Sequence, residues 1–102
     1  MMWIDAGLTA DLLDGRTKSV VVGKKMIAVA RSGEHFYAIE DVCTHDGEPL
    51  AGGEIEGTEI ICPRHFARFC LRTGEALTPP AYEPVRVYET KIEAGRLWVH
   101  AD

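Results

Sequence analysis

Short runs rich in branched and aromatic residues recur along this chain with turn residues between them. Residues 18–22 and 26–31 flank Gly23, Lys24 and Lys25, which reads as a hairpin, and Ser32, Gly33 and Glu34 lead into a third run over 35–39. A short strand is predicted over 59–61, another over 66–71 ahead of the Thr73 and Gly74 turn, and a closing hairpin from 85–88 and 96–100 around Glu93, Ala94 and Gly95. Pro79 and Pro80 force an extended loop, because proline removes amide donors and restricts its neighbour. The one candidate helix covers 8–13, with Thr9 as cap and Asp11 in its first turn, and reads equally as a polar loop because Asp14 and Gly15 stop it.

These elements predict an all-β fold: a small antiparallel β-sandwich or barrel from which residues 43–70 form a two-loop excursion. With 102 residues, one domain spanning 1–102 is expected, without repeats or low-complexity tracts. No run of about 18 apolar residues appears, and the first residues lack a basic segment before an apolar one, so no membrane span or secretory leader is expected and the location is predicted cytoplasmic. A net charge of −5, from 11 Lys plus Arg against 16 Asp plus Glu, disfavours nucleic acid and acidic lipid and favours partners with a basic docking face. The three cysteines, Cys43, Cys62 and Cys70, cannot all pair within the chain, so cysteine serves something other than stapling.

The chemistry concentrates in C-T-H at Cys43 to His45 and C-P-R-H at Cys62 to His65, with 16 residues between the two halves. Each half supplies one soft thiolate and one imidazole, the Cys₂His₂ set of a mixed iron–sulfur centre with both cysteines on one iron and both histidines on the other. Neutral imidazoles remove two negative charges from their iron and make its reduction easier. Zinc can use the same four atoms tetrahedrally, so a structural zinc module for protein recognition stays open at this point. Gly47, Gly52 and Gly53 are expected to let backbone amides approach the sulfurs, and Leu50 and Phe69 to shield the inner side of the site from water.

C-T-H-D-G-E-P-L, C-P-R-H-F-A-R-F and the following L-R-T-G-E-A-L-T-P-P resemble the Rieske ferredoxins of bacterial multicomponent aromatic-ring dioxygenases, and the likeness covers nearly the whole chain. The resemblance implies a Rieske-like β-sandwich with a smaller cluster-binding subdomain and one [2Fe–2S] cluster on Cys43, His45, Cys62 and His65. It also implies a one-electron carrier, not itself an enzyme, between an NAD(P)H-dependent flavoprotein ferredoxin reductase and a terminal oxygenase. A fixed electron-transfer or redox-sensing subunit of another assembly is the alternative.

Respiratory Rieske proteins carry a disulfide between the two loops, whereas the matching positions here are Glu48 and Arg64. Ala67 and Phe69 stand where those proteins place a serine and a tyrosine hydroxyl near the cluster, which implies a potential toward the low end of about −150 to +300 mV. Phe66 occupies a position the ferredoxins usually give to glycine, and Cys70 one where an acid is common. His35 and His100 are expected in ordinary polar or packing roles, and Trp3 and Trp98 in the core, buried by the joining of terminal strands. Asp41, Asp46, Glu48, Glu54, Glu56 and Glu59 read as a solvated acidic face that can also steer basic partners.

Overall fold

The computed structural model describes residues 2–44, 46–79 and 81–101. Nine strands form among them: β1 (Met2–Leu8), β2 (Thr17–Val22), β3 (Lys25–Ser32), β4 (His35–Glu40), β5 (Glu54–Glu56), β6 (Glu59–Ile61), β7 (Arg68–Cys70), β8 (Val87–Glu93) and β9 (Arg96–Ala101). All pairings are antiparallel, and the two predicted hairpins and the turn before the third run each close across two residues, with Val22 opposite Lys25, Glu93 opposite Arg96 and Ser32 opposite His35.

Six strands make one sheet in the order β1-β9-β8-β4-β3-β2, and β5-β6-β7 make a second. The larger sheet is joined between β4 and β8 by only two residue pairs, Ala38 with Tyr88 and Ile39 with Val87. In a flat sheet at about 4.8 Å per strand, β9 would lie roughly 14 Å from β3. Yet Leu97 and Val99 of β9 pack in one cluster with Ile27 and Val29 of β3, Ala38 of β4, Ala6 and Leu12, so the sheet folds over on itself into a sandwich.

Strand β3 is the hinge of the packing because Ile27, Ala28, Val29 and Ala30 are all buried. Such a strand reads as a continuous apolar run, since neither face meets water. Its branched residues fill the core between the two halves of the large sheet. On the other face, Ala28 and Ala30 are small enough to admit Ile60, Phe69, Leu71 and Leu50, so the second sheet seats directly against them.

Several predicted boundaries move. The run over 66–71 pairs only through β7, and β8 starts at Val87 because the Val85 amide donates instead to the Gly74 carbonyl at 2.8 Å. Strand β5 was not foreseen, since its Glu-Ile-Glu sequence gains strand character only from Ile55 pairing with Ile60. The predicted helix is a single 3₁₀ turn, Thr9–Asp11, and the Thr9 hydroxyl donates to the Gly95 carbonyl at 3.2 Å instead of capping it. Terminal strands β1 and β9 do join, but Trp3 is 38% exposed: it shares the outer face of an edge strand with Asp5, while Ile4 and Ala6 turn inward. Its ring lies beside His100 and beneath the Lys91 ammonium instead of entering the core. No described helix is long and apolar enough to cross a membrane.

Candidate metal centre

Two loops built on one hydrogen-bond plan carry the candidate ligands. In the first, which follows β4, the Cys43 amide donates to the Glu48 carbonyl at 2.7 Å and the Gly47 amide to the Cys43 carbonyl at 2.7 Å. In the second, between β6 and β7, the Cys62 amide donates to the Ala67 carbonyl at 2.7 Å and the Phe66 amide to the Cys62 carbonyl at 3.0 Å. Each cysteine thus closes its loop at the base, and the residue four positions on adopts left-handed backbone, with φ of 75° at Gly47 and 62° at Phe66. The two halves of the motif are equivalent turns, and the sequence sets a histidine two residues after the first cysteine and three after the second.

The cysteines end fully buried, in the same apolar cluster as Leu50, Ala67, Phe69, Ala81 and Val85. Their Sγ atoms and a carboxylate oxygen of Asp46 lie within 4.8 Å of one another. A tetrahedral metal about 2.3 Å from each sulfur holds two thiolates roughly 3.8 Å apart, so this spacing suits both cysteines on one ion. His65 follows on the same loop with its side chain 56% exposed and Nδ1 3.7 Å from Asp46 Oδ2. His45 lies outside the described residues. Buried sulfur donors behind an exposed imidazole fit the division of ligands that a mixed iron–sulfur centre requires: thiolate iron inward, imidazole iron toward solvent.

Leu50 and Phe69 are completely buried beside the cysteines, as expected of shielding residues. Close backbone approach, expected at all three glycines, is seen at Gly53. Their amides donate to oxygens: Gly47 to the Cys43 carbonyl, Gly52 to the Thr17 hydroxyl and Gly53 to the Leu50 carbonyl. At Gly53 the need is space, because a Cβ there would collide with the Ile61 carbonyl oxygen.

Three positioning features escaped sequence reasoning. Asp41 belongs to no solvated face: it is 5% exposed, and Oδ1 accepts the amides of Leu50 at 2.8 Å and Ala51 at 2.9 Å while Oδ2 accepts the Ser19 hydroxyl at 2.6 Å. That carboxylate pins the exit of the first loop to β2. The Thr44 hydroxyl donates to the Glu83 carbonyl at 2.7 Å, tying the same loop to the segment before β8. Arg64 Nε donates to Asp46 Oδ2 at 2.8 Å, and Nη2 donates to the Pro49 carbonyl at 2.8 Å and approaches Cys62 Sγ at 3.5 Å. The hydrogen bond to Asp46, aided by the charges of Cys62 and Cys43, holds the guanidinium above its ordinary pKa. A signal for Asp41 existed in its place between two apolar runs, but nothing local announced its partners.

Cys70 lies apart from the pocket, partly buried at the end of β7, with its thiol held below the usual range chiefly by the Thr73 side chain. Of the other acids in the expected steering face, Glu54 and Glu56 are exposed, and Glu56 and Glu59 share Arg68 at 3.2 Å each.

Residues 2–89 match the family model of the Rieske [2Fe–2S] domain. The chain is 36% identical over 97 residues to the ferredoxin component of the naphthalene 1,2-dioxygenase system of Pseudomonas putida, covering 95% of this chain and 93% of that protein. It is 39% identical over 75 residues to the 3-phenylpropionate/cinnamic acid dioxygenase ferredoxin subunit of Escherichia coli K12, covering 72% and 71%. The solved ferredoxin of carbazole 1,9a-dioxygenase from Nocardioides aromaticivorans IC177 superposes with a TM-score of 0.94 at 28% identity over the full length of both chains. Matched loops, buried thiols and these likenesses agree, and the chain belongs to the family of Rieske [2Fe–2S] domains.

Proposed function

We propose that this chain is a one-electron carrier between an NAD(P)H-dependent flavoprotein reductase and the terminal oxygenase of a dioxygenase system. Its [2Fe–2S] cluster would be held by Cys43 and Cys62 on the inner iron and by His45 and His65 on the outer one, with residues 1–102 acting as one domain and 43–70 as its cluster-binding excursion. The observation that carries the reading is the pairing of two fully buried thiols, from equivalent loops, behind an imidazole that is 56% exposed. The relatives that share this architecture are named as ferredoxin components of dioxygenase systems. The cluster supplies one electron at a time without making or breaking bonds to an organic substrate.

The chain's own residues set the conditions of that exchange. Leu50, Phe69 and Val85 keep water from the sulfur side, which concentrates the redox change at the exposed imidazole edge. Ala67 and Phe69 are buried and bring no hydroxyl to the pocket, which supports a potential toward the low end of the range of about −150 to +300 mV. Exposed Glu54 and Glu56 beside the second loop favour a basic partner surface.

Anaerobic purification with iron and sulfide analysis tests the cofactor, and paramagnetic resonance of the reduced protein tests the ligand set. Two irons and two sulfides per chain with a Rieske signal are expected. His45→Ala and His65→Ala should lose that signal, while His100→Ala, in β9, should keep it. A colourless, zinc-loaded protein, or a His65→Ala variant with the wild-type spectrum, would overturn the assignment. Reduction by a flavoprotein reductase followed by oxygenase turnover tests the carrier role.

A further inference from the structure

We propose that Arg64 is a positioning residue: a non-covalent clamp that locks the two ligand loops together and directs an N–H at the sulfur of Cys62. The inference rests on the proposal that Cys43 and Cys62 bind the cluster. Arg64 belongs to the second loop, yet its guanidinium holds the first at two separate points. Nε and Nη2 meet the Asp46 carboxylate at 2.8 and 3.4 Å, and Nη2 also reaches the Pro49 carbonyl at 2.8 Å. The same Nη2 lies 3.5 Å from Cys62 Sγ. One planar group therefore spans both halves of the ligand set, at a position where no covalent link joins them.

Asp46 is equipped to be the anchor. Its own amide donates to the Cys43 carbonyl at 3.2 Å, and Oδ1 accepts the Glu48 amide at 3.0 Å, so the carboxylate is fixed to the first loop before Arg64 arrives. Its nearness to both thiols would also suit a third metal ligand. Its hydrogen bonds favour the anchoring role: Oδ1 accepts N–H groups from Glu48 and Arg64 and Oδ2 accepts one from Arg64, which occupies three of the carboxylate's roughly four lone-pair sites. A lysine could not replace Arg64, because a single ammonium lacks the flat fork that serves carboxylate, carbonyl and sulfur at once.

Two consequences follow from the geometry. Untying the loops eases the separation of Cys43 from Cys62, which hastens cluster loss. Removing a cationic donor from a ligand sulfur disfavours the more negative reduced state, which lowers the potential.

The test compares loaded wild type with Arg64→Met, Arg64→Lys, Asp46→Asn and the Arg64→Met/Asp46→Asn double variant. One readout is the half-life of the visible absorption in chelator; the other is the midpoint of a redox titration. In Arg64→Met, loss about tenfold faster is expected, with a reduced-to-oxidised ratio at fixed ambient potential about tenfold lower, or roughly 59 mV for one electron. Arg64→Lys should fall between, and the double variant should lose its cluster no faster than Arg64→Met alone, because the pair acts as a unit. Wild-type half-life and midpoint in Arg64→Met overturn the clamp, as do effects that multiply in the double variant. If Arg64→Met takes up no cluster, Arg64→Lys carries both measurements, and wild-type values there overturn it. A wild type that binds no iron and sulfide defeats the ligand assignment instead, whereas normal loading beside an indistinguishable Arg64→Met defeats the clamp alone.

Discussion

Glycine and phenylalanine occupy the same seat in the two ligand loops, so replacing Phe66 by glycine and, separately, by alanine isolates what that seat demands of the backbone. Both substitutions remove the ring, which is 71% exposed, and its packing cancels when the two variants are compared with each other. What remains is the left-handed conformation, φ 62°. An L-residue there costs about 1–2 kcal/mol, which glycine avoids. Glycine gives back roughly 0.5–1 kcal/mol through the greater freedom of its unfolded chain. Phe66→Gly should therefore be more stable than Phe66→Ala by about 0.75 kcal/mol at the centre of these ranges, where an ordinary helix or strand position would reverse the order. For a domain of this size that is a difference of about 3–6 °C in the midpoint of cluster bleaching, followed by visible absorption at one scan rate under anaerobic conditions. Gly47→Ala is the matched control, since among the described residues beyond its chain neighbours a Cβ at Gly47 meets nothing within 4 Å, which leaves the backbone, φ 75°, as the perturbed element. It should lower the midpoint by a similar amount. A Phe66→Ala protein as stable as Phe66→Gly, or more so, refutes the reasoning. A Phe66→Gly protein that gains stability yet loses turnover with its oxygenase would assign the ring to partner contact.

Asp41→Ala strands the amides of Leu50 and Ala51 and should cost about 2–4 kcal/mol in denaturant unfolding, whereas Asp41→Asn keeps an acceptor and should cost about 1 kcal/mol; equal losses would mean that the amides are not what the carboxylate serves. Alkylation of the loaded protein with iodoacetamide should modify Cys70 alone, because Cys43 and Cys62 are fully buried and Cys70 is not. Since the Thr73 side chain favours the Cys70 thiolate, the labelling rate should rise with pH through a midpoint below 9.0, and Thr73→Val should move that midpoint upward. Labelling of Cys43 or Cys62 before the cluster is lost would contradict their burial.

The spacing of Cys43, His45, Cys62 and His65 and the rhythm of strands and turns are local properties. Ligand softness depends on residue type, and a strand or tight turn depends on a few neighbours, so the chemical class of the centre, most of β2, β3, β4, β6, β7 and β9 and the start of β8 could be read from the chain alone. The unusual residue at Phe66 was legible too, although only the backbone revealed why glycine is the usual choice there. Strand β5 and the exposure of Trp3 were not readable, because each depends on what lies alongside: Ile60 gives Ile55 its partner, and the sheet ends at β1.

Charged residues divide most sharply between the two levels. In the sequence, Asp46 and Arg64 sit among polar neighbours and Asp41 between two apolar runs, and nothing near any of the three names its partner. Folding brings Asp41 to the amides of Leu50 and Ala51, and Arg64 across 18 residues to Asp46. Which side chains offer soft metal donors follows from residue identity alone. Whether two loops far apart in the chain hold those atoms at one distance follows from long-range hydrogen bonds whose partners exist only once the sheets have packed.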